Sequence, residues 1–115
     1  MGRYRLSAPA QRDLSEILAG SAERWGIEGL RRYKSAIVAA IRTVAANPKS
    51  PLTRARAELG PGIRSFHIRL ARTGDPAAKV KRPVHILYYR EAEAGWIEIV
   101  GILHERMEPS RHLLS

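Results

Sequence analysis

Apolar residues in the first half of the chain recur at steps of three and four, the spacing of one face of an α-helix. The first series is Ala10, Leu14, Ile17, Leu18 and Trp25, and the second is Leu30, Tyr33, Ile37, Val38, Ile41, Val44 and Ala45. Ser7 can cap the first helix, Gly26 separates the two, and Asn47-Pro48 ends the second because residues before proline avoid helical dihedral angles. We therefore predict a helical hairpin with one shared buried face, and we expect Trp25 and Tyr33 in the core.

Three segments in the second half alternate with a period of two, and a short β-prone segment precedes the first helix. These segments are residues 63–70, 84–90 and 96–104, and residues 4–7. In the first of the three, apolar Phe66, Ile68 and Leu70 alternate with polar Ser65, His67 and Arg69. The last two are apolar on both sides, which is typical of central strands. We predict an α+β fold in which an N-terminal β-strand and the helical hairpin pack on an antiparallel β-sheet.

Length and charge narrow the possibilities further. The 115 residues fit one domain, residues 1–115. The formal net charge of +9 favours an anionic partner. Two loops concentrate positive charge, residues 48–62 and the longer segment 71–82, which contains Arg72, Lys79, Lys81 and Arg82.

The sequence contains no cysteine, so a disulfide framework and a thiolate zinc site are both excluded. It shows no apolar signal segment and no run of the roughly 18 to 20 apolar residues that a membrane span needs. We expect a soluble cytoplasmic protein that requires no metal and no cofactor.

The two ends of the chain carry the most specific motifs. The strand-like run Trp96–Leu103 leads into His104-Glu105-Arg106-Met107-Glu108-Pro109 and then Arg111-His112-Leu113. Together with the N-terminal run Tyr4–Ile17, this order resembles ParE-type toxins of the ParE/RelE superfamily. Glu58–Phe66 and His85–Arg90 are similar to the middle strands of the same family. The order of elements that the resemblance implies agrees with the order predicted from periodicity.

This resemblance implies the toxin of a type II toxin–antitoxin system. In the family, the C-terminal segment of an antitoxin wraps the toxin, and characterised ParE members poison DNA gyrase by trapping cleaved DNA. We therefore expect an inhibitor of DNA gyrase or topoisomerase that holds a gyrase–DNA complex rather than catalysing a reaction, and that a ParD-like antitoxin neutralises. Nucleic acid is expected to be contacted only indirectly or weakly, and a membrane not at all.

Arginines outside the predicted core are the candidate binding residues, because guanidinium groups bind carboxylates and phosphates bidentately. For the target we expect Arg64, Arg69, Arg106 and Arg111. The last two follow the final strand, where little core remains to be built, whereas Arg64 has an alternative role in a salt bridge with Glu58. For an acidic amphipathic antitoxin segment we expect the cations of the two helices, Arg12, Arg24, Arg31, Arg32 and Lys34.

The alternative function is that of the related RelE-type toxins, which cleave messenger RNA on the ribosome. Attack by the RNA 2′-hydroxyl needs a base, an acid and cations that stabilise the phosphorane. The candidates here are His67, Arg69, His112 and Arg106, provided that they converge on one concave patch. Against this alternative, the chain has no tyrosine after Tyr89 and no lysine-dense strand, features that many RelE-like nucleases possess.

Three further interpretations remain. A set of Arg69, His112 and Glu58 could imitate the catalytic residues of a RelE relative, whereas His85 and His104 are expected to hydrogen-bond the backbone. A plain nucleic-acid-binding module is the third functional class, but the sequence shows neither a helix-turn-helix nor aromatic residues interleaved with basic strand positions.

Overall fold

The computed structural model describes residues 2–71, 80 and 82–113, which form one β-sheet with helices packed on it. In chain order the elements are β1 (Arg3–Leu6), α1 (Ala8–Ala46), β2 (Arg54–Ala55), β3 (Arg64–His67), β4 (His85–Glu91), β5 (Trp96–His104) and α2 (Pro109–His112). Two 3-10 turns, Ala57–Leu59 and Ile68–Leu70, flank β3. Within the described part of the chain, no helix is both long and apolar enough to cross a membrane.

Gly26 divides α1 into two arms, residues 8–25 and 27–46. Its φ of 69° and ψ of −170° lie outside the helical range, in a region that favours glycine. Ser7 caps the first arm by accepting a hydrogen bond from the amide of Ala10 at 3.2 Å. The carbonyl oxygen of Ser21 lies 3.7 Å from the place where Gly29 would carry a Cβ atom, whereas a straight helix rises about 12 Å over this interval. The arms therefore fold back on each other, and the predicted helical hairpin is confirmed.

The sheet has five strands in the order β1-β5-β4-β3-β2. Neighbouring strands from β2 to β5 are antiparallel, as predicted. β1 pairs with β5 in parallel, from Arg3 opposite Trp96 to Leu6 opposite Ile99, so the complete sheet is mixed. The predicted α+β fold is confirmed. Because β1 ends opposite Ile99, none of the strands among the described residues covers that side of β5 beyond this point.

Apolar side chains cover both faces of β4 and β5, in agreement with the continuous apolar character of these strands. The main core lies between α1 and the sheet and includes Ile37, Ile41, Val44, Phe66, Leu87, Tyr89 and Ile99. A smaller second core on the other face consists of buried Leu59, Tyr88 and Leu103, with Ile63, Ile86, Val100 and Leu113 packed against it. The C-terminal end of the chain therefore contributes to the packing of the sheet.

The predicted strand 63–70 is wrong in two respects. Regular strand structure ends at His67 and a 3-10 turn follows, because the His67 ring accepts a hydrogen bond from the amide of Arg69 and caps that turn. The alternation also predicts that the polar side faces solvent, but this side is covered at Ser65, which is only 5% exposed beside its cross-strand neighbour Tyr88, a member of the second core. Arg69 is exposed, as predicted.

Tyr33 is buried in the main core as predicted, but Trp25 is 61% exposed. The reason is Gly26, because the turn there places the preceding residue at the tip of the hairpin instead of on its buried face. The predicted basic loop 71–82 lies largely outside the described residues, including its cations Arg72, Lys79 and Lys81.

Candidate functional site

His67 and Glu105 join the end of β3 to the residue that follows β5. The Nε2 atom of His67 lies 2.7 Å from Oε2 of Glu105, and Nδ1 of His67 accepts a hydrogen bond of 3.1 Å from the amide of Arg69. Because Nδ1 acts as an acceptor, the ring proton resides on Nε2 and is donated to Glu105. This contact lowers the pKa of the Glu105 carboxyl. Both ring nitrogens of His67 are therefore occupied by protein groups.

His85 lies at the opposite end of β4 from the strand-connecting turn, where it contacts the second arm of α1. The Tyr33 hydroxyl accepts a hydrogen bond from the amide of Val84 at 3.1 Å and donates one to Nδ1 of His85 at 2.5 Å. Burial, and to a smaller extent the neighbouring His104 and His67, lower the pKa of His85 to about 4. The described hydrogen bond of the His85 ring is therefore with a tyrosine hydroxyl, and a bond to the backbone stays a prediction.

His104 is different, since its Nδ1 atom accepts a hydrogen bond from the backbone amide of Arg106 at 3.1 Å, as expected. Its ring meets the ring of His85 edge to face at a centroid distance of 5.7 Å. Three histidines thus lie at one end of the sheet, and their described hydrogen bonds organise the chain around them.

Arg64 has an internal partner. Its Nε and Nη2 atoms donate hydrogen bonds of 3.2 and 2.8 Å to Oγ1 of Thr53, a buried residue in the loop before β2. The predicted salt bridge with Glu58 is wrong, because Glu58 pairs with Arg56 at 2.8 Å. Arg64 therefore fastens the loop after α1 to β3, and this role distinguishes it from the other three candidate target-binding arginines.

Arg69, Arg106 and Arg111 are exposed, and none forms an ion pair with any residue that the structure describes. The His67–Glu105 hydrogen bond brings Arg69 and Arg106 together, because each arginine is close in sequence to one of its partners. Arg106 and Arg111 both lie in residues 105–113, a segment that we call the tail. Met107, between them in sequence, is 45% exposed, although nothing in its sequence pattern predicts a functional role.

The tail is folded rather than extended. The amide of Met107 donates to the carbonyl oxygen of His104 at 2.9 Å, and the amide of Leu113 donates to that of Pro109 at 3.0 Å. Glu108 caps α2 by accepting hydrogen bonds from the amide and the hydroxyl of Ser110. Pro109 is buried. This local structure holds the backbone of the tail arginines in a defined conformation.

His112 does not join His67. Its side chain lies near Asp13, whose carboxylate accepts a hydrogen bond of 3.0 Å from the amide of Ile102. Asp13 thereby covers the edge of β5 that β1 leaves open. Strand β3, which carries His67, is on the opposite side of β5, with β4 between them. Burial raises the pKa of the Asp13 carboxyl. Of the four residues proposed for RNA cleavage, His67, Arg69 and Arg106 lie on segments joined by the His67–Glu105 contact, whereas His112 lies near Asp13.

The five cations expected to meet an antitoxin, Arg12, Arg24, Arg31, Arg32 and Lys34, are all exposed on α1. Arg31 pairs with Glu28 at 3.3 Å, and the guanidinium of Arg24 lies 6.0 Å from the ring centroid of Trp25. Trp25 and Ile27, 61% and 60% exposed, form an apolar tip at the Gly26 turn, and all of these cations except Arg12 are close to it in sequence. We call the five cations and this tip the hairpin surface. A large apolar residue on each side of the glycine between two helices is the sequence signal that could have revealed the tip.

The described residues hold no group of three or more histidine, aspartate or glutamate side chains that could bind a metal ion. What they present is two cation-bearing surfaces, the tail and the hairpin surface, each with an exposed apolar residue. Cations around an apolar side chain suit the binding of an acidic protein surface, because the apolar contact supplies affinity and the charges supply orientation.

Known proteins are similar to this chain in sequence and in fold. The sequence profile described as ParE toxin of type II toxin–antitoxin system, parDE, matches residues 4–109. Toxin ParE1 of Mycobacterium tuberculosis (strain H37Rv) is 35% identical over 111 residues, which are 96% of this chain and 97% of that toxin. Toxin ParE1 of Caulobacter vibrioides is 29% identical over 113 residues, 98% of this chain and 99% of that toxin.

A solved structure of a chromosomal ParDE toxin–antitoxin system from P. aeruginosa has the same fold. Its matching chain superposes with a TM-score of 0.64 at 17% identity, covering 90% of this chain and 96% of that chain. The sequence match spans nearly every element described above, from β1 to the start of α2. The chain therefore belongs to the ParE toxin family of type II toxin–antitoxin systems.

Proposed function

We propose that this ParE-type toxin inhibits DNA gyrase or a related topoisomerase by binding it, and that a ParD-like antitoxin neutralises the toxin in the cytoplasm. The observation that carries the proposal is the tail. Arg106 and Arg111 are exposed without a carboxylate partner among the described residues, and Met107 between them is also exposed. Such a segment is suited to binding a macromolecular surface.

The histidine geometry supports inhibition by binding over RNA cleavage. A general base must have a free lone pair within reach of the proton that it removes. In His67 that lone pair accepts the Arg69 amide, and the opposite nitrogen is engaged with Glu105. His112 lies near Asp13, away from this pair. Of the two histidines considered for catalysis, His67 thus serves a structural contact and His112 lies near Asp13.

The hairpin surface suits the antitoxin. Tryptophan is enriched among residues that dominate binding energy, and an exposed tryptophan next to an isoleucine forms an apolar anchor. The surrounding arginines would attract an acidic segment and orient it. We infer that the antitoxin lays an amphipathic acidic helix on this surface, with Trp25 and Ile27 in its apolar face.

The target surface is tested with the double variant Arg106→Ala/Arg111→Ala in a gyrase supercoiling assay. Loss of two charge contacts should raise the half-inhibitory concentration roughly 10-fold to 100-fold, while the antitoxin affinity stays within about 3-fold. Arg31→Ala/Arg32→Ala removes the same charge from the hairpin surface and should leave inhibition unchanged. Equal inhibition by the tail variant and the wild type would show that the tail is not the target surface.

The antitoxin surface is tested with Trp25→Ala, measured by calorimetric titration with the purified antitoxin encoded beside the toxin. Truncating an aromatic anchor commonly costs at least about 2 kcal/mol, so the dissociation constant should rise roughly 30-fold. Leu52→Ala is the matched control, because Leu52 is also about half exposed but lies in the loop before β2. A Trp25→Ala affinity equal to that of the control would remove the hairpin tip from the antitoxin interface.

A further inference from the structure

Gly101 is an unusual residue for its position in the middle of β5. Glycine weakens a strand interior because it has no side chain to pack and loses more backbone freedom than other residues. Strand β5 has a bulge next to this residue, because Tyr88 pairs with Gly101 and Tyr89 with Ile99, which leaves Val100 as an extra residue. The bulge alone does not require glycine, since Gly101 is not among the residues with positive φ. Glycine inside a strand also marks a place where another group approaches closely.

The group that approaches Gly101 is Leu113. A Cβ atom on Gly101 would overlap Cδ2 of Leu113, and the side chain of Leu113 packs against the second core formed by Leu59, Tyr88 and Leu103. The missing side chain of Gly101 is therefore a notch on the outer face of the sheet, and Leu113 fills it.

The tail is fastened at both of its ends. At the start, Glu105 binds His67 through its side chain, and its amide donates to the carbonyl oxygen of Val84 at 2.8 Å. At the end, Leu113 occupies the notch and Pro109 is buried. The exposed residues Arg106, Met107 and Arg111 lie between these two anchors.

We propose that Gly101 and Leu113 form a latch that positions the tail so that Arg106, Met107 and Arg111 together bind an acidic protein surface with an apolar pocket. This inference rests on the proposed function, because it assigns the latch to the same target-binding tail. Gly101 and Leu113 are positioning residues that need not touch the target. Met107 supplies the apolar contact. An exposed apolar side chain between two arginines favours a protein surface over a phosphate backbone, which offers no apolar pocket.

The latch itself is tested by hydrogen exchange in Gly101→Ala, Leu113→Ala and the double variant. Gly101→Ala should displace Leu113 and expose the amides of Met107, Arg111 and Leu113. The Met107 amide is hydrogen-bonded to His104, just before the tail, and the other two are hydrogen-bonded within the tail. Gly20→Ala is the matched control, because no atom lies within 4 Å of the added methyl group. Unchanged exchange of the tail amides in Gly101→Ala and in Leu113→Ala would overturn the latch.

The role of the latch in inhibition is tested by a double-mutant cycle in the gyrase assay. Gly101→Ala should raise the half-inhibitory concentration roughly 10-fold in the wild-type background, but less than about 3-fold once Leu113→Ala has removed the side chain that it displaces. Additive effects would show that Gly101 acts independently of Leu113. Tail amides that exchange faster while inhibition stays at the wild-type level would also overturn the positioning role.

The chemistry of the partner is tested at Met107. Met107→Lys adds a cation, so a partner recognised through an apolar pocket should be inhibited roughly 10-fold less well, whereas a partner recognised through phosphates should be inhibited more strongly. Stronger inhibition by Met107→Lys would overturn the protein-surface assignment. Should the wild-type protein fail to inhibit gyrase at all, the proposed function fails, and the hydrogen-exchange result still decides whether the latch exists.

Discussion

The hairpin surface and the tail carry the same kinds of side chains on very different supports. The hairpin surface stands on α1, whose inner face supplies much of the main core. The tail is short and is held by a small second core, the notch at Gly101 and the His67–Glu105 contact. Changes inside the main core should therefore destabilise the whole fold, whereas changes near the tail should alter activity more than stability.

The largest difference between the two supports is expected in the free energy of unfolding that is lost when a packed side chain is truncated. Ile41→Ala removes a fully buried side chain between α1 and the sheet and should lower the free energy of unfolding by about 2 to 5 kcal/mol. Leu113→Ala truncates a half-buried side chain at the chain end and should cost about 1 kcal/mol or less. Denaturant unfolding monitored by circular dichroism measures both. Equal losses of stability would contradict the difference in support.

An intermediate effect on stability is expected when the pH is lowered. It arises at the contact between the second arm of α1 and β4. The pKa of His85 is about 4 in the folded protein and 6.5 in its ordinary state. Because the folded pKa is the lower one, this contribution to stability is complete above pH 6.5 and is lost as the pH falls toward 4. Partial exposure screens the effect, so we expect a loss of about 2 kcal/mol over this range.

The variant His85→Gln isolates this contribution, because glutamine can accept the Tyr33 hydrogen bond but does not titrate. Its unfolding free energy should be flatter than that of the wild type between pH 6.5 and 4. Tyr33, His104, His67 and Glu105 face the same ring and are unchanged in the variant, so their own effects remain in both proteins. Parallel curves for the two proteins would exclude His85 as the titrating group.

The smallest effect distinguishes Arg64 from the surface arginines. Arg64→Ala leaves the buried hydroxyl of Thr53 without the guanidinium that binds it, which should destabilise the protein by about 1 kcal/mol. Arg31→Ala removes only the exposed pair with Glu28 and should change stability by less than about 0.5 kcal/mol. Thermal unfolding of both variants checks the difference. A neutral Arg64→Ala would return Arg64 to the candidate target-binding residues.

Strong local patterns made much of the fold predictable from the sequence. The helical hairpin follows from two series of apolar residues interrupted by Gly26, and the β4–β5 hairpin from two apolar runs around a turn. The parallel pairing of β1 with β5 was missed because it joins the two ends of the chain and no local pattern encodes direction. Strand β3 was predicted too long because a side chain, His67, ends it.

The candidate site was predictable only where the place of a residue relative to the helices and strands in the sequence determines whether its side chain is exposed. The sequence correctly indicated that Arg106 and Arg111 are exposed. The expectation that little core remains after the last strand is wrong, because Pro109 is buried and Leu113 packs against the second core. It did not reveal that Trp25 is exposed, since helical spacing places a residue on a face without saying where the helix turns. The notch at Gly101 was also missed, because its reason is a contact with Leu113 that periodicity does not encode.

The most direct test of the central claim compares two activities of one preparation of the wild-type protein. Purified protein is incubated with gyrase, supercoiled plasmid and ATP, and in parallel with ribosomes programmed with messenger RNA. We predict that cleaved plasmid accumulates while the messenger stays intact, since the tail binds and both ring nitrogens of His67 are already engaged by protein groups. Cleaved messenger together with intact plasmid would contradict it and identify the arginines and histidines at the end of the sheet as an active site.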